Sequence, residues 1–179
     1  MRRLILYLFF LFTIASCNNS RQEENFEKIP AEDSVNKPDE ILVMTANMFF
    51  NDKTYNMAIP YYDSLILKYP QKGSFFYKRG VCKSKVHDAP SAISDYFKSI
   101  ELNYSKKEFA FYGIGVVHHF KGLFDSPTEE QVIAAFDSAI YYYNECLKID
   151  PKLKEAIKAK NEVTNNLILI RQGVWPSNK

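Results

Sequence analysis

The chain has 179 residues, 46% of them hydrophobic and 25% charged, with a formal net charge of +2. Arg2 and Arg3 account for that excess: without residues 1–16 the balance is 21 Lys and Arg against 21 Asp and Glu, which excludes the long-range positive field that nucleic-acid binding needs. Only six glycines are present and no β-branched run alternates in hydropathy, so an all-α domain is expected, and the roughly 140 residues after the N-terminal region suffice for one core.

In chain order, Arg2 and Arg3 precede an apolar run over residues 4–14, too short to span a bilayer as a helix and suited to a signal peptide. It ends Ile14-Ala15-Ser16-Cys17, which is similar to a bacterial lipobox. That resemblance implies cleavage after Ser16 and acyl chains on Cys17, whose buried methylenes contribute about 0.8 kcal/mol each to membrane anchoring. Asn18, where enterobacterial lipoproteins held at the inner membrane carry Asp, points to the outer membrane of a bacterial envelope. Residues 17–38 hold few large apolar side chains and read as a flexible tether. The alternative is a strand lying in a groove through Phe26 and Ile29.

From Asp39 onward the pattern becomes helical and repeats. Leu42, Thr45, Ala46 and Phe49 share one helix face, Asn51 to Thr54 makes a turn with Thr54 as a cap, and Ala58, Tyr62 and Leu65 share a second face. Pro60 falls in the first turn or so of that second helix, where a missing N–H is tolerated. The stretch from Phe75 to Tyr104 repeats the arrangement, with Phe76, Gly80 and Lys83 on its first helix, Ala92, Tyr96 and Ser99 on its second, and Asp88 as the cap between them. Ala58 to Ala92 and Pro70 to Tyr104 are both 34 residues apart. A third unit aligns Gly115 with Gly80 and ends on Ala139, Tyr143 and Cys146, but Ala92 to Ala139 is 47 residues, so about thirteen extra residues are present. Most fall in the string KGLFDSPTEEQVI, where Ser126 to Glu129 reads as a capping box and the following helix is expected to run over residues 127–149. A last amphipathic helix over 152–171 carries Leu153, Ala156, Ile157, Val163, Leu167 and Ile170 on its apolar stripe, is stopped by Gly173 and Pro176, and turns Lys152, Lys154, Lys158 and Lys160 to solvent.

With Gly73 as position 1, the markers of the second unit stand at positions 4, 8, 11, 20, 24, 27 and 32, and the strings YKRG and AISDYFKSIELNY then resemble the tetratricopeptide repeat (TPR). Lys83, where the family favours Tyr, and Tyr104, where it favours Pro, depart from it. The resemblance implies an α-α superhelix of about three helical hairpins (39–72, 73–106, 107–151) and a C-terminal capping helix (152–172), together a domain over 39–173. It also implies a concave groove lined by the first helix of each repeat. The candidate partner-binding residues carried over are Val43, Asn47 and Phe50, then Tyr77, Val81 and Lys85, then Phe109, Tyr112, Val116 and His119. Chaperone-binding members clamp a carboxylate with Lys and Asn; here Asn47 matches, whereas Val43, Lys78, Phe109 and Gly113 hold the other clamp positions, so no such clamp is expected. The groove is left aromatic and nearly uncharged towards the third repeat, suited to an apolar or extended segment of an envelope protein, unless the capping helix or the tether fills it from within.

No catalytic constellation is visible. His118 and His119 are adjacent and point about 100° apart on a helix, so they do not share a metal. Cys82 and Cys146 fall at packing positions, expected as buried thiols, with a disulfide left possible in an oxidising envelope. Gly113-Ile114-Gly115 lies within a helix and serves close packing rather than phosphate binding. The expectation is a non-enzymatic, lipid-anchored interaction module without cofactor or metal, contacting the membrane through its acyl chains and no nucleic acid. The alternative is an envelope lipoprotein that binds a small ligand or glycan through Tyr77, Phe109, Tyr112 and His119.

Overall fold

A computed structural model of the chain describes residues 39–126 and 128–174. The leader, the acylation site at Cys17 and the tether lie outside the described residues, as do Pro127 and Pro176. The described residues form seven helices and no strands: α1 (Glu40–Asn51), α2 (Tyr55–Lys68), α3 (Gly73–Lys85), α4 (Ala89–Glu101), α5 (Lys107–Phe124), α6 (Glu129–Ile149) and α7 (Lys154–Arg171). They pair as three hairpins, α1–α2, α3–α4 and α5–α6. Each hairpin packs on the next through its second helix, and α7 closes the series against α6 and the flank of α5.

The 34-residue markers are core residues. Ala58, Tyr62 and Leu65, then Ala92, Tyr96 and Ser99, then Ala139, Tyr143 and Cys146 are all buried. Small residues at the first position let the paired helices approach, and the ring that follows fills the space. Tyr96 lies against Gly80 and Gly113, Tyr143 against Gly115, and Phe136 against Gly122; a Cβ on Gly113 or on Gly115 would stand 2.6 Å from the facing ring. The Gly113–Gly115 pair thus serves helix approach. Cys82 and Cys146 are free, buried thiols, and burial pushes them up to about 12 and about 11.

Helix ends follow one device. At the ends of α1, α3, α4 and α7, a residue in the left-handed region (Lys53, φ 60°; His87, φ 65°; Asn103, φ 54°; Gly173, φ 69°) lets the next N–H reach back to the helix, as in Thr54 N–H to Phe49 O at 3.0 Å and Asp88 N–H to Lys83 O at 2.9 Å.

Several local readings change. Thr54 stands at the N-cap of α2 but makes no side-chain cap there; its hydroxyl donates to Phe49 O at 3.1 Å and so serves the end of α1. Pro60 is the sixth residue of α2, in its second turn, where its missing N–H removes a helical hydrogen bond. The cap of α6 is Thr128, whose Oγ1 accepts from Gln131 N–H, so the helix begins at Glu129; the Ser126 hydroxyl donates to Lys121 O instead. α7 begins at Lys154, and Ile157 is 39% exposed, off the buried stripe of Ala156, Val163, Leu167 and Ile170. The thirteen extra residues lengthen both helices: α5 has 18 residues against 13 in α3, and α6 has 21 against 13 in α4. Lys83 fills its unusual place by an ion pair to the buried Asp95 at 2.9 Å, beside Arg79, which meets both Asp95 oxygens at 2.8 and 2.6 Å.

Candidate functional site

The first helices of the hairpins place the candidate residues along one face, but differently from repeat to repeat. At the N-terminal end, Val43 and Asn47 line a cavity of about 730 Å3, together with Met44, Met48 and Phe75. Asn47 is held from behind. Its Oδ1 accepts from the Tyr62 hydroxyl at 3.0 Å and from Lys78 Nζ at 2.6 Å. With that oxygen engaged twice, its amide N–H groups are left for whatever enters the cavity. Lys78 lies 5.8 Å from the centre of the Phe50 ring, and burial lowers its pKa. Phe50 itself is edge-on to Tyr55 and Tyr62, which keeps its ring half-buried.

The second repeat contributes less open surface. Tyr77 is wedged between Tyr104 (5.1 Å, stacked) and Tyr96 (6.0 Å), and burial pushes its hydroxyl up to about 12. Val81 packs against the α4–α5 cluster, while Lys85 is exposed. Lys85 and Val116 line a separate cavity of about 180 Å3 beside Phe120.

In the third repeat, Phe109 and Tyr112 are half-buried, and Tyr112 leans on Tyr143 at 5.8 Å. Tyr112 and Val116 pack against the cluster that includes Val163, Leu167 and Ile170 of α7. His119 is 7% exposed and edge-on to Phe136 at 5.7 Å. Its Nε2 and the Tyr143 hydroxyl are buried without hydrogen-bond partners among the described residues. Burial lowers the His119 pKa, with Glu162 acting in the opposite sense. His119 therefore belongs to the interior, not to an open groove. His118 is stacked on Tyr142 at 5.5 Å, away from it. Among the described residues no group of three or more His, Cys, Asp or Glu side chains is placed to hold a metal ion, and no helix is long and apolar enough to cross a membrane.

The sequence reading missed Met44, Met48, Phe75 and the supporting role of Lys78. A signal for the exposed methionines was present in the repeat itself. Ile41 and Met48 occupy the places of Phe75 and Cys82 one repeat on, and of Ala110 and Val117 a further 35 residues on. The later pairs are buried at 6%, 0%, 0% and 6% exposure, whereas Ile41 and Met48 are 73% and 49% exposed, α1 being the first of the described helices.

No protein-family model matches the sequence, and no curated protein is significantly similar to it. Solved structures are. The TPR domain of Arabidopsis OM64 superposes with a TM-score of 0.59 at 16% identity, over 70% of this chain and 93% of that one. The first TPR of Spaghetti (RPAP3), bound to the HSP90 peptide SRMEEVD, gives 0.59 at 18% identity, over 72% and 92%. The first TPR domain of human RPAP3 gives 0.59 at 17% identity, over 74% and 94%. By the seven helices of the described residues, their pairing and these superpositions, the chain has the fold of a tetratricopeptide-repeat domain: helical hairpins in a superhelix, followed by a single helix.

Proposed function

We propose that this protein is a lipid-anchored interaction module of the bacterial envelope, tethered through Cys17 at the outer membrane, which captures an extended, mainly apolar segment of a partner protein. The observation that carries the reading is the 730 Å3 cavity beside α1, with apolar walls from Val43 and Phe75 and an amide donor fixed at Asn47. Apolar pockets flanked by one oriented backbone-reading group are what peptide recognition uses. The TPR of Spaghetti is solved with a peptide bound, which supports a peptide as the ligand class. The carboxylate clamp remains unsupported here, since Val43, Phe109 and Gly113 bring no charge to its positions. Anchoring is supported by the leader and the Ile-Ala-Ser-Cys string alone.

The test is site-specific photo-crosslinking in native membranes. A photoreactive residue at Asn51, on the cavity, is expected to capture a protein that the same residue at Ser94, exposed on α4, does not. Identical adducts from both positions would remove the groove from the reading. In parallel, Cys17→Ala is expected to move the protein from the membrane to the soluble fraction; retention on the membrane would remove the lipid anchor.

A further inference from the structure

We propose that the cleft between the end of α5 and the start of α6, in the long third hairpin, binds the pyranose ring of a neutral sugar. The cleft shares no lining residue with the 730 Å3 cavity beside α1, so the proposal stands apart from the peptide groove.

Two facing rows of side chains build it. His118, Lys121 and Asp125 follow one another at i, i+3 and i+7 along α5 and its C-cap, and Gln131, Ala134 and Ser138 at the same spacing along α6. Each row therefore lies on one side of its helix. Between them is a cavity of about 350 Å3, within the range of small-molecule sites. Lys121, Asp125, Ser126 and Gln131 all belong to the string that carries the thirteen extra residues, so the two shorter hairpins lack the residues that form the cleft.

The chemistry of the walls narrows the ligand. The Ser126 hydroxyl donates to Lys121 O and the Ser138 hydroxyl to Ala134 O, so each oxygen keeps only acceptor capacity for a ligand. The side chains of Lys121, Asp125 and Gln131 have no hydrogen-bond or ion-pair partner among the described residues. Lys121 and Gln131 are thus open donors, and Asp125, Gln131 and the two serines are open acceptors. A sugar hydroxyl both donates and accepts, and a ring of them satisfies both sets. An anion would meet Lys121 with Asp125 beside it, a cation would meet the reverse, and an apolar ligand would leave these groups desolvated and unpaired.

The remaining wall is aromatic. The His118 ring is stacked on Tyr142 at 5.5 Å with 13° between their planes, and Tyr142 in turn stands edge-on to Phe97 at 5.9 Å. Burial and the nearby Lys121 lower the His118 pKa, so the ring is neutral at pH 7 and suits the C–H face of a pyranose. Lys121 and Asp125 also line the neighbouring 180 Å3 cavity, whereas His118, Gln131, Ala134 and Ser138 belong to the cleft alone.

The test is saturation-transfer NMR on the full-length protein, in micelles of a detergent without a sugar headgroup. The probes are glucose, galactose, mannose and N-acetylglucosamine, with glucuronate and glucosamine as charged comparisons. Saturable transfer to at least one neutral sugar is expected. Ala134→Trp, which fills the cleft, and Gln131→Ala, which removes a donor and an acceptor, are each expected to weaken it at least tenfold. Both positions are exposed, so the variants keep the fold, which circular dichroism checks. Absence of saturable transfer to every neutral sugar overturns the proposal, as does binding that either variant leaves unchanged. Tighter binding of glucuronate or glucosamine than of any neutral sugar would assign the cleft to a charged ligand and overturn it. Sugar binding lost with Tyr112→Ala but kept with Ala134→Trp would move it to the concave groove and overturn the proposal too.

Discussion

Lys78 Nζ and Asn47 Oδ1 stand 2.6 Å apart, bridging the first helices of two successive repeats. The contact fixes the groove in two ways. It ties α3 to α1, and with the Tyr62 hydroxyl it holds the Asn47 side chain through its Oδ1. Asn47→Ala leaves a buried tyrosine hydroxyl and a half-buried ammonium without their acceptor. The expected loss of stability is about 1–3 kcal/mol, read from the urea midpoint, together with weaker crosslinking of the partner from Asn51.

Asp95 is the anchor of the second repeat. It is 4% exposed and holds Arg79 with two hydrogen bonds and Lys83 with an ion pair, while Arg79 also reaches Asp63 at 2.7 Å. Asp95→Ala leaves Lys83 without its carboxylate and Arg79 with Asp63 alone, beside the α3–α4 core. A loss of about 3–5 kcal/mol is expected in equilibrium urea unfolding, against less than about 1 kcal/mol for Asp63→Ala, whose carboxylate is half-exposed.

Gly115→Ala tests the helix approach in the third repeat. Alanine raises helix propensity by about 1 kcal/mol, yet its Cβ would stand 2.6 Å from two atoms of the Tyr143 ring, which is fully buried and held on all sides. Net destabilisation of about 1–3 kcal/mol is expected by thermal or urea unfolding.

His87→Gly and Lys53→Gly are expected to act in the opposite direction. Both residues sit with φ near +60° at the ends of α3 and α1, a conformation that costs a side-chain-bearing residue about 1 kcal/mol or more and glycine nothing. Each substitution is expected to raise stability by roughly 0.5–1 kcal/mol after the added chain entropy of glycine, measured as a higher urea midpoint.

His119 gives the fold a pH dependence. Burial lowers its folded pKa from the ordinary 6.5, while Glu162 on α7 partly opposes this, and Phe136 on α6 adds no charge. Because the unfolded chain takes up the proton first, stability is expected to fall as pH drops below about 6.5 and to go on falling until the folded pKa is reached. His118, also lowered by burial and by Lys121, adds to the same slope. His119→Gln is expected to flatten the pH dependence of the urea midpoint between pH 7 and 5.5, above the range where most carboxylates titrate; an unchanged slope would show that folding does not alter the protonation of His119.

The core was legible because it is periodic. Ala58, Ala92 and Ala139, with the tyrosines four residues later, could be placed from spacing, since a fixed repeat returns the same side of each helix to the same neighbour. The long third hairpin was legible too, from 47 residues where 34 were expected. The candidate surface was legible only as a helix face. Val43 and Asn47 lie on an open cavity, whereas Tyr77 and Tyr112, at the repeat position of Val43, and His119, at that of Phe50, are enclosed by Tyr104, Tyr143 and Phe136.

By itself, then, the sequence determined the all-α class, the hairpin period and the nine buried markers, because these follow from helical geometry and local spacing. The tertiary structure alone decided that Lys78 braces Asn47, that Lys83 is matched by Asp95, and that Ile41 and Met48 are exposed where their repeat equivalents are buried. Those relations depend on which helices meet and on how far apart they stand, which a periodic pattern does not carry.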